Sequence, residues 1–259
     1  MLSHAELERF QRDGYFIRRG LVVAGSCRAM LEIAQGELAG AVPPLELEAE
    51  VRYEGAPASL DAPGGRTVRR LLRAYSRHKE FAEWALDIEV AGALTQLLGP
   101  EVELSQAHHN CVMTKAPSHS SSTGWHRDVR YWSFQRPELV STWLALNRER
   151  DDNGCLKVLP GSHLMKFAPR QLDEAQFLRT DAADNAALLA LQVAVELDPG
   201  DVLFFDARIF HAAGRNTTSE TKFSVVFTYH AAANRPLPGS RSASVADVRL
   251  ARQELSRVR

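Results

Sequence analysis

A histidine and an aspartate two residues apart, His126 and Asp128, are the side chains of this sequence best suited to hold a redox metal. They lie in the segment TGWHRDVRYW, residues 123–132. If this segment is a β-strand, both side chains project from the same face, because side chains alternate along a strand. An imidazole beside a carboxylate supplies two ligands of the 2-His-1-carboxylate site, which binds Fe(II) and keeps other coordination positions open. The spacing therefore predicts one further histidine ligand elsewhere in the chain.

The third ligand should be a histidine on a later strand that folds back beside the first. His211 meets this requirement, because it follows the apolar run at residues 202–205, and we expect that strand to end near it at the mouth of a barrel. The pattern His-x-Asp also arises by chance, and a buried histidine is more often a hydrogen-bonded core residue. Of the adjacent His108 and His109, only one can face the core of a strand. Spacing alone leaves both alternatives open.

Length and composition set the broad class of protein. The chain has 259 residues and a formal net charge of -1, so it carries no strong electrostatic footprint for nucleic acid or an anionic membrane. No apolar run is long enough to span a bilayer, and the charged N-terminus does not resemble a signal peptide. Cys27, Cys111 and Cys155 are scattered, which favours neither a disulfide framework nor a zinc-thiolate site. We predict a cytoplasmic protein that binds a small-molecule substrate, and the sequence makes no prediction of the oligomeric state.

The first hundred residues have mainly helical patterns. We predict helices from the capping box of Ser3 and Glu6 to Gly14, from Ser26 to about Leu38, and from Lys79 to Leu98. Residues 42–65 are irregular and rich in Pro and Gly, which is typical of a surface loop that covers an active site. The basic segment at residues 66–78 is interpreted as a solvent-exposed face, with contact to an anionic substrate as the alternative.

After residue 101 the pattern changes to short apolar runs separated by turn signals. Many short strands after a helical opening predict a mainly β fold with flanking helices, whose core is a double-stranded β-helix, or jelly roll, of the cupin-like kind. We find neither an internal repeat nor a second domain. The predicted single domain, 1–259, consists of a helical flank with a lid-like loop at 1–100, a jelly-roll core at 101–235 and a tail at 236–259.

Several sequence blocks carry a resemblance to a known family. They are LSHAELERFQRDGYFIRRGLV, NCVMTKAP, GWHRDVRYW, TWLALNRERDDNGCLKVLPGSH and DPGDVLFFDARIFHAAGRN, in this order. With them the chain resembles the phytanoyl-CoA dioxygenase family of Fe(II)- and 2-oxoglutarate-dependent oxygenases over most of its length. The resemblance implies a double-stranded β-helix with iron on His126, Asp128 and His211. It also implies 2-oxoglutarate and O2 as co-substrates, with release of succinate and CO2.

The resemblance extends to residues for 2-oxoglutarate. Asn110 and Lys115 share the N-x4-K spacing of similar proteins, in which the position of Lys115 contacts 2-oxoglutarate. The family usually has an arginine some eleven residues after the distal histidine, and Lys222 stands there in this chain. Lysine keeps the positive charge but loses the bidentate fork, so Arg215 is an alternative partner for the far carboxylate, although an exposed turn residue is favoured for it. Trp143 is a candidate wall of the same pocket, with plain core as its alternative.

The residues directly after Asp128 are candidates for the substrate wall: Arg130, Tyr131 and Trp132. Arg130 shares the face of the ligands if the strand continues, where it would pair a substrate carboxylate or phosphonate. A salt bridge to a neighbouring strand is its alternative. The predicted function is an oxygenase that hydroxylates, or otherwise oxidises at an unactivated C–H bond, a small polar metabolite or natural-product intermediate. A metal-dependent jelly-roll enzyme that does not use 2-oxoglutarate and a non-enzymatic binding protein are the alternatives.

Overall fold

A computed structural model describes residues 1–51 and 53–251. Its α-helices are α1 (His4–Asp13), α2 (Ala24–Ala39), α3 (Ala74–Arg77), α4 (Lys79–Ala85), α5 (Ile88–Leu98) and α6 (Ala186–Leu189). Its strands are β1 (Tyr15–Arg18), β2 (Leu45–Leu47), β3 (Val68–Leu72), β4 (Val102–Lys115), β5 (Thr123–His126), β6 (Leu139–Ala145), β7 (Leu156–Val158), β8 (Val193–Ala194), β9 (Val202–Asp206), β10 (His211–Ala213), β11 (Lys222–Ala231) and β12 (Val248–Arg249).

The described strands form two antiparallel sheets. The large sheet has the order β1-β9-β6-β11-β4-β3-β2, and β12 adds to it by pairing with β4. The small sheet has the order β5-β10-β7-β8. The predicted mainly β fold with flanking helices is confirmed. The first hundred residues contribute strands as well as helices, since β1 pairs with β9 and β3 pairs with β4.

Both faces of the large sheet are buried, which explains the nearly continuous apolar run of β11. Val225 and Phe227 belong to a cluster with the flanking helices, whereas Val226 points the other way and packs between the sheets with Leu203 and Phe205. Alternation along a strand requires this division. The space between the two sheets is therefore lined by every second residue of the central strands, and any site there must use those positions.

The first helix agrees with its sequence signals. The Glu6 carboxylate accepts a hydrogen bond from the Ser3 backbone N–H at 2.7 Å, and the Ser3 hydroxyl accepts one from the Glu6 N–H at 3.3 Å. Gly14 ends α1 with φ 83°, a conformation that glycine adopts at little cost. The prediction that α2 starts at Ser26 is wrong, because the helix already begins at Ala24.

The single helix predicted from Lys79 to Leu98 is also wrong, because the structure has two helices there. The Asp87 carboxylate accepts hydrogen bonds from the backbone N–H groups of Glu89 and Val90, at 2.8 and 3.1 Å, and so starts α5. The apolar spacing continues across the break, which is why periodicity alone did not reveal it. Among the described residues, no helix has the length and apolar character that crossing a membrane requires.

Candidate metal centre

The two histidines predicted as ligands lie opposite each other in the small sheet. β5 ends at His126 and β10 begins at His211, and these two residues are register partners of the antiparallel pair. Their ring centroids are 4.3 Å apart. The predicted pairing of a late histidine strand with the first is therefore present. The late strand is β10, however, not a continuation of the apolar strand β9, which lies in the large sheet.

Asp128 is brought to the same point by a turn. The prediction of a strand through residues 123–132 is wrong beyond His126, because Asp128–Tyr131 forms a 3-10 helix. The Val129 N–H donates to the Ala207 carbonyl at 3.0 Å and anchors this turn to the chain just before β10. Oδ1 of Asp128 consequently lies 3.6 Å from Nε2 of His126 and 3.4 Å from Nε2 of His211.

The Asp128 carboxylate is buried and lacks the hydrogen bonds that a buried charge normally has. The residue is 1% exposed, and neither oxygen has a hydrogen-bond partner among the described residues. Nδ1 of His126 lies 2.8 Å from the Gly124 carbonyl and Nδ1 of His211 lies 3.2 Å from the Ile209 carbonyl. Because a carbonyl only accepts, each Nδ1 carries the hydrogen and each Nε2 is left for a ligand. Imidazole nitrogens and a carboxylate fit a divalent transition metal such as Fe(II).

The electrostatics of the cluster favour an ionised Asp128 and a neutral His126, whereas for His211 burial would lower the pKa but the adjacent Asp128 carboxylate outweighs burial and raises it. Burial, with a contribution from His211, lowers the pKa of His126 to about 3 although Asp128 opposes the change. Burial by itself would raise the pKa of Asp128, but His109, His211 and His126 outweigh it and hold that pKa well below its usual range. An ionised carboxylate therefore stands beside a neutral His126 at neutral pH.

A third imidazole, that of His109, faces the same carboxylate. Its Nε2 lies 3.5 Å from Oδ1 of Asp128, and burial lowers its pKa to about 4. The sequence indicated only that one member of the pair His108–His109 would face inward. In the structure His109 lines the cavity, whereas Nε2 of His108 lies 3.3 Å from the Ser242 hydroxyl near the tail.

From the triad a cavity runs between the sheets to the other end of β4 and β11. Alternation along β4 turns His109, Met113 and Lys115 into it, and Lys222 and Val226 of β11 do the same. Lys115 and Lys222 are register partners on these neighbouring strands, and both are almost fully buried. The amino groups of two lysines therefore lie side by side at the end of a narrow cavity.

Lys222 has a buried carboxylate partner that the sequence analysis did not identify. Its Nζ lies 3.1 Å from Oε2 of Glu149, a residue that is 0% exposed. Oε1 of Glu149 accepts hydrogen bonds from Nε1 of Trp143 at 2.9 Å and from the Ser224 hydroxyl at 2.6 Å. Trp143 lines the cavity, and its indole also fixes Glu149.

Lys115 has no carboxylate within ion-pair distance among the described residues. Its Nζ donates instead to the carbonyl oxygens of Ser121 at 2.9 Å and Gly214 at 2.5 Å. Burial, reinforced by the positive charges of Arg69 and Lys222, lowers the pKa of Lys115 to about 7. The ammonium of Lys115 is therefore the cavity cation that is least compensated.

The structure places Arg69 and Asn110 differently from expectation, whereas Arg215 is the exposed residue that was favoured for it. Arg69, in the segment interpreted as solvent-exposed, is 2% exposed and lines the cavity, so that interpretation is wrong for it. Arg69 is held by the hydroxyls of Ser121 and Thr123, at 2.7 and 2.8 Å. Arg215 is exposed and donates to backbone carbonyls outside the cavity, and the Asn110 side chain accepts from the Tyr75 N–H at 2.8 Å. Neither of the last two residues lines the cavity.

The predicted substrate-wall residues follow the turn rather than a strand. The Tyr131 ring lies 5.9 Å from that of His126, and its hydroxyl is 3.0 Å from that of Tyr53. The Arg130 guanidinium lies 4.1 Å from the ring centroid of Phe177. Trp132 instead packs behind the turn, with its ring 4.5 Å from that of His108. Tyr131 thus lies beside His126 and Arg130 beside Phe177, but none of Arg130, Tyr131 and Trp132 is among the residues that line the cavity.

Comparison with known proteins identifies the family. The model of the family described as "Phytanoyl-CoA dioxygenase (PhyH)" matches residues 10–224, which include all three triad residues. The chain belongs to the phytanoyl-CoA dioxygenase family. This membership confirms the predicted class, an Fe(II)- and 2-oxoglutarate-dependent oxygenase.

Curated relatives match different fractions of this chain. An ectoine dioxygenase of Sphingopyxis alaskensis is 25% identical over 256 residues, covering 90% of this chain and 78% of the relative. The human peroxisomal phytanoyl-CoA dioxygenase is 24% identical over 169 residues, covering 61% of this chain and 47% of the relative. The chain thus spans less than half of the human enzyme in that match.

Solved structures confirm the predicted jelly-roll fold. EctD from S. alaskensis with bound Fe has a TM-score of 0.75 at 22% identity, covering 97% of this chain and 88% of that one. The non-heme alpha-ketoglutarate-dependent epimerase SnoN from nogalamycin biosynthesis has a TM-score of 0.70 at 25% identity, covering 96% and 92%. Both place this member of the phytanoyl-CoA dioxygenase family among enzymes of the same architecture.

Proposed function

We propose that this protein oxidises an unactivated C–H bond of a small polar metabolite or natural-product intermediate, with iron held by His126, Asp128 and His211. The observation that carries the proposal is the buried Asp128 carboxylate without hydrogen bonds, faced by Nε2 atoms of two histidines whose Nδ1 hydrogens are already used. When bound, Fe(II) with 2-oxoglutarate and O2 supplies the oxidising chemistry, with release of succinate and CO2. The protein's own residues orient the reactants and exclude water.

For 2-oxoglutarate we propose that Lys115 is the main partner of the far carboxylate. Lys115 stands at the end of the cavity away from the triad and donates only to neutral carbonyls. Lys222 lies beside it but is already paired with Glu149. A second carboxylate at this point would supply Lys115 with the counter-charge that it lacks, and charge-assisted hydrogen bonds are the stronger ones. The exposed position of Arg215 speaks against it as the anchor.

Aromatic side chains from three segments cover the metal side of the cavity. Tyr53 comes from residues 42–65, Tyr131 from the turn after Asp128, and Phe177 from residues 173–190. Phe177 lies 5.7 Å from the His126 ring and 6.2 Å from the Tyr53 ring, measured between centroids. We propose that this cover excludes water and forms the substrate wall, which is the role predicted for the irregular segment at residues 42–65.

Arg130 points to the chemistry of the substrate. Its guanidinium lies against Phe177 and 3.3 Å from the Tyr131 hydroxyl, and it forms no ion pair among the described residues. The alternative role as a salt bridge to a neighbouring strand therefore has no support. We propose that the substrate carries an anionic group, a carboxylate or a phosphonate, that Arg130 binds. The similar proteins include enzymes named for ectoine and for nogalamycin biosynthesis, which supports a small-molecule substrate.

The test is an anaerobic titration of the protein with Fe(II) and 2-oxoglutarate, followed by the weak visible charge-transfer band of the chelate. We expect the band in the wild type and in His4→Ala, which changes an exposed histidine. We expect no band in His126→Ala and His211→Ala. Iron that binds normally to both triad variants would contradict the assignment of the ligands. Succinate release with a panel of anionic metabolites then identifies the substrate.

A further inference from the structure

Three ionisable side chains outside the triad converge at the far end of the large sheet. His230 of β11 and Glu103 of β4 are register partners, whereas Lys222 and Lys115 pair at the opposite end of the same two strands. Asp247 directly precedes β12, which pairs with β4. The ligand atoms of Glu103, His230 and Asp247 lie within 4.8 Å of one another.

The imidazole of His230 is buried, and one of its two ring nitrogens has no hydrogen-bond partner among the described residues. The residue is 0% exposed, and its Nδ1 lies 2.9 Å from the Ala231 carbonyl, which only accepts hydrogen bonds. Nδ1 therefore carries the hydrogen of the neutral ring. Nε2 has no hydrogen-bond partner among the described residues, although it lies 3.2 Å from Oδ2 of Asp247. A lone pair of the neutral ring thus faces a carboxylate, a repulsive contact that either a bound cation or a proton on Nε2 relieves.

The charges around the cluster leave its carboxylates poorly compensated. The side chains of Glu103 and Asp247 are only 15% and 12% exposed. Arg235, whose side chain is 66% exposed, approaches Glu103 to 4.0 Å, which is the limit of an ion pair. Arg249, the register partner of Glu103 on β12, instead lies 2.5 Å from Glu101. In the described chain no lysine or arginine lies within ion-pair distance of Asp247, and Oδ1 of Asp247 has no hydrogen bond.

We propose that Glu103, His230 and Asp247 form a second cation site, which binds a divalent first-row metal such as Zn²⁺. One imidazole and carboxylate oxygens are common ligands of such ions. A backbone carbonyl that accepts the Nδ1 hydrogen is the usual support of a metal-bound histidine, and the candidate iron ligands His126 and His211 have the same support. Two carboxylates balance the charge of the ion.

The second site would fasten the end of the chain to the sheet. Glu103 and His230 belong to central strands, but Asp247 belongs to the C-terminal segment, so an ion shared by them closes a long loop. The same segment supports the turn that carries Asp128: the Ser242 hydroxyl accepts from the Ser133 N–H at 2.9 Å, and the Leu237 N–H donates to the Ser133 carbonyl at 2.8 Å. The ion is therefore a structural element that lies outside the iron site but acts on its surroundings.

The number of zinc ions bound per chain distinguishes the second cation site from the triad. Metal-free full-length protein is dialysed against Zn²⁺, and the bound zinc is measured by elemental analysis. We expect two ions per chain in the wild type, because Zn²⁺ also fits the triad, and one ion in each of His126→Ala and Asp247→Asn. The double variant should bind none. Asp181→Asn, which changes an exposed aspartate, is the matched control and should retain both ions.

Two further measurements keep the proposal testable if Asp247→Asn does not fold. In His126→Ala, bound Co²⁺ should give visible d–d bands that Glu103→Gln removes. Zn²⁺ should also slow exchange of the Leu250 N–H, which donates to the Val102 carbonyl at 3.0 Å. One ion per chain in the wild type, or unchanged stoichiometry in both Asp247→Asn and Glu103→Gln, would overturn the proposal and assign the cluster to a protonated His230 paired with Asp247.

Discussion

Lys115 and Lys222 are register partners at the end of the cavity, yet only Lys222 has a carboxylate partner. Lys222 is paired with Glu149, whereas Lys115 donates to the carbonyls of Ser121 and Gly214. Two neighbouring buried lysines therefore differ in how their charges are compensated. Lys222 is already compensated in the protein alone, and Lys115 gains a counter-charge only from a bound anion.

Replacing Lys115 should weaken the binding of 2-oxoglutarate without removing iron. We expect Lys115→Met to raise the KM for 2-oxoglutarate by about 10- to 100-fold, since a hydrogen bond to a charged group contributes about 1.5–3 kcal/mol. Iron content after anaerobic reconstitution should be unchanged. Arg215→Gln is the matched control, because Arg215 is exposed and outside the cavity, and its KM should equal that of the wild type. A larger rise in the KM for 2-oxoglutarate in Arg215→Gln than in Lys115→Met would make Arg215, and not Lys115, the partner of the far carboxylate.

Binding of 2-oxoglutarate should weaken as the pH rises above neutrality. Burial lowers the pKa of Lys115 from 10.5 to about 7 in the free protein, so above pH 7 the lysine must take up a proton to pair with a carboxylate. The dissociation constant should then rise by up to roughly tenfold per pH unit. Titrations of the charge-transfer band at about pH 6.5, 7.5 and 8.5 measure this dependence. A flat profile would show that a permanently charged group anchors the co-substrate.

The lowered pKa of Lys115 also predicts how the free energy of unfolding changes with pH when 2-oxoglutarate is absent. Below pH 7 the folded protein holds a buried, charged Lys115, which destabilises it relative to the unfolded chain. Between pH 7 and 10.5 the unfolded chain binds the additional proton, so the Lys115 contribution to the free energy of unfolding rises with pH. Urea unfolding of wild type and Lys115→Met across this range isolates the contribution. The difference between the two proteins should shrink as the pH rises.

Replacing Lys222 should affect stability more than replacing Lys115. Lys222→Met leaves the carboxylate of Glu149 buried without its cation, and breaking such a pair costs about 3–5 kcal/mol. Adding Glu149→Gln should recover most of that loss, because the amide is neutral and its oxygen still accepts from the Trp143 indole. Chemical unfolding of the two single variants and the double variant measures the coupling. Additive losses would show that Lys222 and Glu149 do not depend on each other.

The sequence predicted those parts of the site that follow from local rules. The spacing of His126 and Asp128 and the expectation of a returning strand with His211 predicted a cluster of three side chains that the structure brings together, although a turn rather than a strand positions Asp128. The capping box at Ser3 and the stop at Gly14 were also readable, because they depend on neighbours in the chain. The family membership rests on sequence blocks and was confirmed by comparison.

The parts that could not be predicted depend on contacts between distant strands. Glu149 lies on the connection after β6 and meets Lys222 of β11 only in the folded sheet, so no local pattern indicates the pair. Arg69 looks like a surface residue in a basic segment, but its guanidinium reaches the hydroxyls of Ser121 and Thr123 inside the protein. Burial of a charged side chain follows from partners that the linear sequence does not reveal.

Replacing Arg130 should separate substrate recognition from the binding of iron and 2-oxoglutarate. Arg130 lies against Phe177 without an ion-pair partner among the described residues, so its charge is available to an anionic substrate. We expect Arg130→Gln to raise the KM for the substrate that supports succinate release by about 10- to 100-fold, while the charge-transfer titration is unchanged. Arg136→Gln, which changes a guanidinium 54% exposed and near Glu138, is the control and should behave as the wild type. An Arg130→Gln enzyme with an unchanged KM for the substrate and a weakened charge-transfer band would place Arg130 in the co-substrate site and leave the substrate charge to other residues.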